Sequence, residues 1–271
     1  MNHRENFHRM MRRDGPERLP MDMWTTPPFI DLLEKHRGTR NVVEAFDLTF
    51  EMVTPAWRDD PAKWRAALEG LGYVVPEGGV IGGCGCGHRK PAAESVGAAY
   101  HMTEPLHPLS IVEAVEQLES LPWPNVDDPE HYAPVPDRAR QVQDGGRAAI
   151  GVAHCTIFEV AWGARGMDHL FMDLAEGNGI AEWLFDFFER RADRMVRAYA
   201  RAGVDVVAFG DDVGTQRGMM MSVDMWREQF KPRLARLIAA VREEQVGEPW
   251  IFYHSDGDIR DILDDLAEIG V

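Results

Sequence analysis

Two short apolar runs that end abruptly in ionisable side chains constrain this chain most: Val204-Asp-Val-Val-Ala-Phe-Gly-Asp-Asp-Val-Gly-Thr-Gln216 and Trp250-Ile-Phe-Tyr-His-Ser-Asp-Gly257. Runs of this length, rich in Val, Ile and aromatic residues and bounded by glycine, read as buried strands. Strand and helix patterns alternate through the second half, which is the signature of βα units on a parallel sheet. Chemistry in such sheets and barrels collects at the carboxyl ends of the strands, so two successive polar tips describe one shared site. That site is expected to gather Asp211, Asp212, Gln216, His254 and Asp256, with Tyr253 beside it.

A chain of 271 residues with 45% hydrophobic content suits a single domain spanning 1–271, since α/β barrels of about 250 residues commonly fold as one unit. The formal charge of −16, from 45 acids against 29 bases, repels phosphate backbones and anionic lipid surfaces. Nucleic acid and membrane are therefore not expected partners. No apolar stretch approaches the roughly 20 residues a bilayer needs, and the polar, Arg-rich amino terminus lacks the apolar centre of a secretory signal. Three cysteines, Cys84, Cys86 and Cys155, are too few for a disulfide scaffold and fit a reducing, cytoplasmic setting.

Along the chain, Arg4 to Arg13 reads as a helix, Arg18 to Trp24 as a first strand with Asp22 and Trp24 at its tip, and Pro28 to Lys35 as a helix. Val42 to Met52 reads as a second strand, and Asp60-Pro61 starts a helix to Leu71, proline being favoured at the first helical position. From about 72 to 108 a short strand at Tyr73 and the glycine-rich run Gly82 to Gly87 suggest a β and loop excursion over the site. Ser110 and Glu113 match a capping box, and Pro129 opens a helix interrupted by Pro134 and Pro136. Ala148 to Ala153 is a core strand whose tip carries His154, and Ile180 to Ala202 is the strongest helix, closed by Gly203. Ser222 caps a long helix to Glu244 with Pro232 as a kink, and Asp258 to Ile269 is the last helix. Glu268-Ile-Gly-Val271 reads as the approach to another strand, so the barrel is expected to be truncated at the carboxyl end.

Each candidate has a plain structural alternative. Two adjacent carboxylates beside buried walls push at least one pKa upward, which suits Asp211 or Asp212 to acid or base work; Asp is equally common as a helix cap or in a turn. His254 at a strand tip is suited to binding zinc or moving protons, with Asp256 orienting it or ligating alongside; many such histidines are only hydrogen-bonded core residues. Cys84-Gly-Cys86-Gly-His88 has the composition of a metal clip without a frequent zinc spacing, so an ordinary glycine loop is the expectation. His154, Asp22, Trp24 and Tyr253 complete the candidate substrate contacts.

Gly210-Asp-Asp-Val-Gly-Thr-Gln216, the helix opening from Ser222 to Pro232 and His254-Ser-Asp-Gly257 together resemble the uroporphyrinogen decarboxylase superfamily. Arg18-Leu-Pro-Met21, Pro108-Leu-Ser110 and Leu121-Pro-Trp-Pro124 are similar to its divergent bacterial members. The resemblance implies a distorted TIM (β/α)8-type barrel with its site at the carboxyl face. It implies two activities. Porphyrinogen decarboxylases use no cofactor and carry an arginine-rich loop after the first strand; here that place reads Met23-Trp-Thr-Thr-Pro-Pro28, with no arginine to clamp substrate carboxylates. Methyltransferases of the other branch move methyl groups between corrinoid proteins and small acceptors, using zinc on a His-x-Cys pair and a later cysteine; His254 matches the histidine, and Asp256 stands at the cysteine position. The leading expectation is a methyltransferase acting on a small molecule, with a corrinoid-bound methyl group as co-substrate, a corrinoid protein as partner and zinc as metal. In it His254 serves as ligand or acid and base, with Asp212 and Asp211 beside it and Gln216 positioning substrate. Decarboxylation of a porphyrinogen or related acid is the alternative, with a non-catalytic truncated fragment as a third reading and a homodimer as an open assembly.

Overall fold

The computed structural model describes residues 1–58, 60–89 and 103–271. Helices α1 (His3–Met11), α2 (Pro27–Arg37) and α3 (Val42–Ala45) lead into strand β1 (Phe50–Val53) and helix α4 (Pro61–Gly70). Three short antiparallel strands follow, β2 (Val80–Ile81), β3 (Gly87–Arg89) and β4 (Glu104–Leu106), then α5 (Val115–Glu119) and α6 (Val135–Asp144). The second half runs β5 (Ala148–His154), α7 (Phe158–Arg165), α8 (Met167–Glu176), α9 (Ile180–Ala202) and β6 (Val206–Gly210). It continues with the hairpin β7 (Gly214–Thr215) and β8 (Gly218–Met219), then α10 (Val223–Gln229), α11 (Lys231–Glu244), β9 (Trp250–His254) and α12 (Leu263–Ile269).

Four parallel strands form the central sheet in the order β1-β5-β6-β9. Its register aligns Met52, Ile150, Val206 and Trp250 in one row, and His154, Gly210 and His254 in the row at the carboxyl tips. Side chains alternate across a strand, so the two faces have separate fates. Ala149, Ala153, Val207 and Phe209 point into the main core under α9 and α11, where Leu184, Phe185, Phe188, Val196 and Tyr199 are fully buried; each such side chain contributes roughly 1.5–3 kcal/mol of transfer free energy. The opposite face, with Ala148, Ile150, Val206 and Ala208, is covered in part by Phe7 of α1, which meets Phe50 edge-on at 5.0 Å. Beyond α1 this face lines an apolar cavity of about 510 Å³ that runs toward Trp24 and His254.

Several elements differ from the sequence reading. Residues 18–24 form no strand; the segment is tied to the chain before β1 by Thr49 N donating to the Met21 carbonyl and Met21 N to Thr49 Oγ1. Residues 42–45 are a helical turn capped by Asn41, and only Phe50–Val53 is strand, because the left-handed Asp47 breaks the run. Tyr73 is not in a strand, and residues 90–102 of the expected excursion lie outside the described residues. Ser110 sits inside a 3-10 turn begun by Pro108, and half of a capping box forms one turn later, where Gln117 Oε1 accepts from the Glu113 and Ala114 amides while Ala114 has no polar side chain to reciprocate. Pro129 begins a 3-10 turn, and the helix proper starts at Val135. The break in the helix after Ser222 falls at Phe230, just before Pro232. Among the described residues no helix is long and apolar enough to cross a membrane.

Asp205 pins α1 to the bottom of the sheet. Its buried carboxylate accepts from Arg4 Nε at 2.8 Å, Gln143 Nε2 at 3.1 Å and the Ala149 amide at 2.9 Å, with His8 Nε2 at 2.7 Å. Burial alone would raise its pKa; the hydrogen bonds from His8, Ala149, Arg4 and Gln143 outweigh it and hold the group below the ordinary carboxylate range. Asp205→Ala is expected to cost about 2–3 kcal/mol in urea unfolding at neutral pH, because it strands the Ala149 amide, the Arg4 guanidinium and the His8 ring nitrogen. A depressed carboxylate contributes stability above its unfolded pKa and loses it as pH falls through the folded one, so the wild type's advantage over Asp205→Asn should vanish on acidification.

Candidate active site

The site begins with a glycine. Gly210 lies between His154 and His254 in the tip row, and a Cβ there would come within 2.9 Å of the His254 carbonyl oxygen, 3.1 Å of His254 Cβ and 3.3 Å of His154 Cδ2. Without that Cβ, the two imidazoles stack across the gap at 5.6 Å and 22°. Trp24 covers them, its ring 4.5 Å from that of His154 and 5.6 Å from that of His254, held by its own Nε1–H donating to Asp22 Oδ2 at 2.9 Å. Asp22 and Trp24 thus reach the site as expected, although from an irregular segment.

Past Gly210 the pleat sends consecutive acids to opposite faces. Asp211 turns back under the sheet, is buried, and accepts from the Ile157 amide at 3.0 Å and the Glu159 amide at 2.9 Å, so it caps the start of α7. Burial pushes its pKa up to about 7 against the amides that favour the anion. This corrects its expected place beside the reacting groups: it is a helix anchor. Tyr253 likewise faces the helix layer, its hydroxyl donating to the Asp211 carbonyl at 3.4 Å, and does not line the tip cavity. Gln216 stands exposed in the β7–β8 turn, on a hairpin whose Gly214 and Thr215 pack against Asp256 to Asp258 just past His254.

Asp212 faces forward. Its Oδ1 accepts the Asp256 amide at 2.7 Å and lies 3.8 Å from His254 Nε2, while Asp256 Oδ1 lies 3.7 Å from the same nitrogen. One ligand atom each from Asp212, His254 and Asp256 falls within a 4.8 Å group, the right scale for a shared cation. Among the described residues the cysteines join no such group. Cys86 instead donates to the Val160 carbonyl, and burial pushes its thiol up to about 12, which fits the ordinary-loop reading of that segment.

Glu159, which sequence reasoning did not single out, also borders Asp212. It sits in the first turn of α7, its Oε2 accepting the Asp212 amide at 3.4 Å, and burial followed by the nearby Asp212 charge raises its pKa. Cys155, beside it, has a left-handed backbone at φ 51° and a thiol whose pKa burial raises; strain of this kind, costing about 1–3 kcal/mol, gathers at functional sites. His154 keeps both ring nitrogens buried and without a partner among the described residues. Burial, then the neighbouring His254, lowers its pKa to about 4, so it is neutral at physiological pH. An unpaired buried polar group costs about 1–3 kcal/mol.

A parallel α/β sheet with acids and histidines gathered at its carboxyl tips is the layout of an enzyme. The chain belongs to the uroporphyrinogen decarboxylase (URO-D) family, whose sequence model matches residues 92–271. Its fold is similar to that of a methyltransferase from Methanosarcina mazei, with a TM-score of 0.59 and 15% identity over 100% of this chain and 74% of the other. No curated protein matches the sequence. Gly210→Ala should force the histidines apart and destabilise the fold by about 1–3 kcal/mol; thermal unfolding and the histidine ring NMR shifts would both register it, and an unchanged spectrum would refute this packing.

Proposed function

We propose that this protein is a methyltransferase of its family that moves a methyl group between a corrinoid carrier and a small molecule, with Asp212, His254 and Asp256 as its reacting centre. The observation that carries the reading is the convergence of two carboxylates on one imidazole nitrogen, 3.8 and 3.7 Å away, together with the lack of any arginine in Met23–Pro28 to clamp a polycarboxylate substrate. One nitrogen and two carboxylate oxygens fit a divalent ion such as zinc, whose usual ligands include both, and they leave positions open for substrate. When bound there, the ion supplies Lewis acidity that lowers the pKa of the acceptor.

The chain's own residues do the rest. The Asp256 amide fixes the Asp212 carboxylate, and Asp211 fixes the first turn of α7 that carries Glu159. Glu159, with its raised pKa, holds a proton more firmly than an ordinary carboxylic acid and stands behind Asp212 as a reserve. Trp24 shields the histidines from bulk water on one side, which strengthens every charge interaction inside.

The test is methyl transfer from methylcobalamin to a panel of thiol, amine and phenol acceptors, followed by corrinoid absorbance. His254→Ala and Asp212→Asn are each expected to slow it by about 10²–10⁴-fold, and chelation should abolish it until zinc is returned. Turnover unaffected by His254→Ala would refute the reading. The second reading, decarboxylation, is favoured by the family's namesake activity and by the half-buried Asp212 carboxylate, which is placed to stabilise a developing cation. Porphyrinogen turnover by metal-free protein would establish it instead.

A further inference from the structure

Resting on the assignment of Asp212, His254 and Asp256 as the reacting centre, we infer that His154 and the apolar cavity beside it select the substrate: a neutral aromatic ring bearing a hydroxyl or ether oxygen, held against Trp24 and Phe252, with its oxygen hydrogen-bonded to His154.

Three observations converge on this class. The cavity, about 510 Å³ in volume, is walled by Phe7, Met10, Phe50, Ile150, Trp250 and Phe252, and no Lys or Arg is among its lining residues. Carboxylate and phosphate groups therefore have no counter-charge inside it, and aromatic walls suit a flat apolar body. At its far end, Trp24 forms a wall of the cavity and also lies on His154. His154 lies behind this wall, its ring also 6.3 Å from that of Phe252 and 5.6 Å from that of His254; in the proposed complex the substrate ring takes the place of the half-exposed Trp24 indole against His154.

His154 supplies the polar contact. Both of its nitrogens are buried without a partner among the described residues, and a neutral imidazole offers one donor and one acceptor. A phenolic oxygen can meet either, and an ether oxygen can meet the donor. A valine or phenylalanine would fill the same position without leaving polar atoms unpaired. The stacking of His154 on His254 at 5.6 Å places an oxygen held by the first next to the centre built around the second. A site that hydrogen-bonds a substrate oxygen rejects analogues without it, because its own polar groups are then stranded.

The test uses the 271-residue chain and three probes, phenol, toluene and tetramethylammonium, titrated calorimetrically and by histidine ring NMR, with wild type, His154→Phe and His154→Gln. Phenol should bind wild type about tenfold tighter than toluene, as one net hydrogen bond allows. The preference should disappear in His154→Phe and survive in part in His154→Gln, with the His154 ring signals moving on phenol addition. Equal binding of phenol and toluene by wild type, retention of the preference in His154→Phe, or tighter binding of tetramethylammonium than of phenol would each overturn the inference. Zinc titration of the same proteins separates the two claims. Zinc affinity should be the same in wild type and His154→Phe, whereas absence of zinc binding in wild type would count against the methyl-transfer centre and leave the phenol preference standing.

Discussion

The whole site hangs on one packing constraint, the absence of a Cβ at Gly210. Three strand tips end in register, and only because the middle one is bare can the flanking imidazoles face each other. Strand parity then does the sorting: Gly210 faces the cavity, Asp211 turns into the helix layer, and Asp212 returns toward His254. Two chemically identical carboxylates thereby acquire different surroundings, one capping the start of α7 and the other standing beside His254.

The same parity divides the sheet. Its helix-side residues complete a large core under α9 and α11, while among the described residues the other face meets α1 and the segment bearing Trp24. Asp205 holds α1 against the lower half of that face, so the apolar cavity lies between an anchored helix and the tip residues. The apolar core is concentrated behind the sheet, and the ionisable groups gather at its carboxyl tips.

Much of this was legible in the sequence. Buried strands ending in Asp212, His154 and His254 were visible because β-branched and aromatic runs stop abruptly at ionisable residues, and α9 was visible because its apolar residues keep helical spacing up to Gly203. The difference between Asp211 and Asp212 was not legible, since it depends on which face the last strand residue takes. Residues 18–24 misled because Leu19, Met21 and Met23 recur at every second position like a strand, although they are exposed and no strand among the described residues pairs with the segment. Glu159 was missed because its role exists only once α7 brings it behind Asp212. Gln216 drew notice as a polar residue in a glycine-rich loop, and the hairpin presents it to solvent.

The central claim is that Asp212, His254 and Asp256 form one cation-binding, reacting centre. An anomalous difference map from a crystal soaked in zinc tests it most directly. The account predicts a single strong peak within bonding distance of His254 Nε2 and of carboxylate oxygens of Asp212 and Asp256. A peak at Cys84 and Cys86 instead, or none at the strand tips, would contradict it.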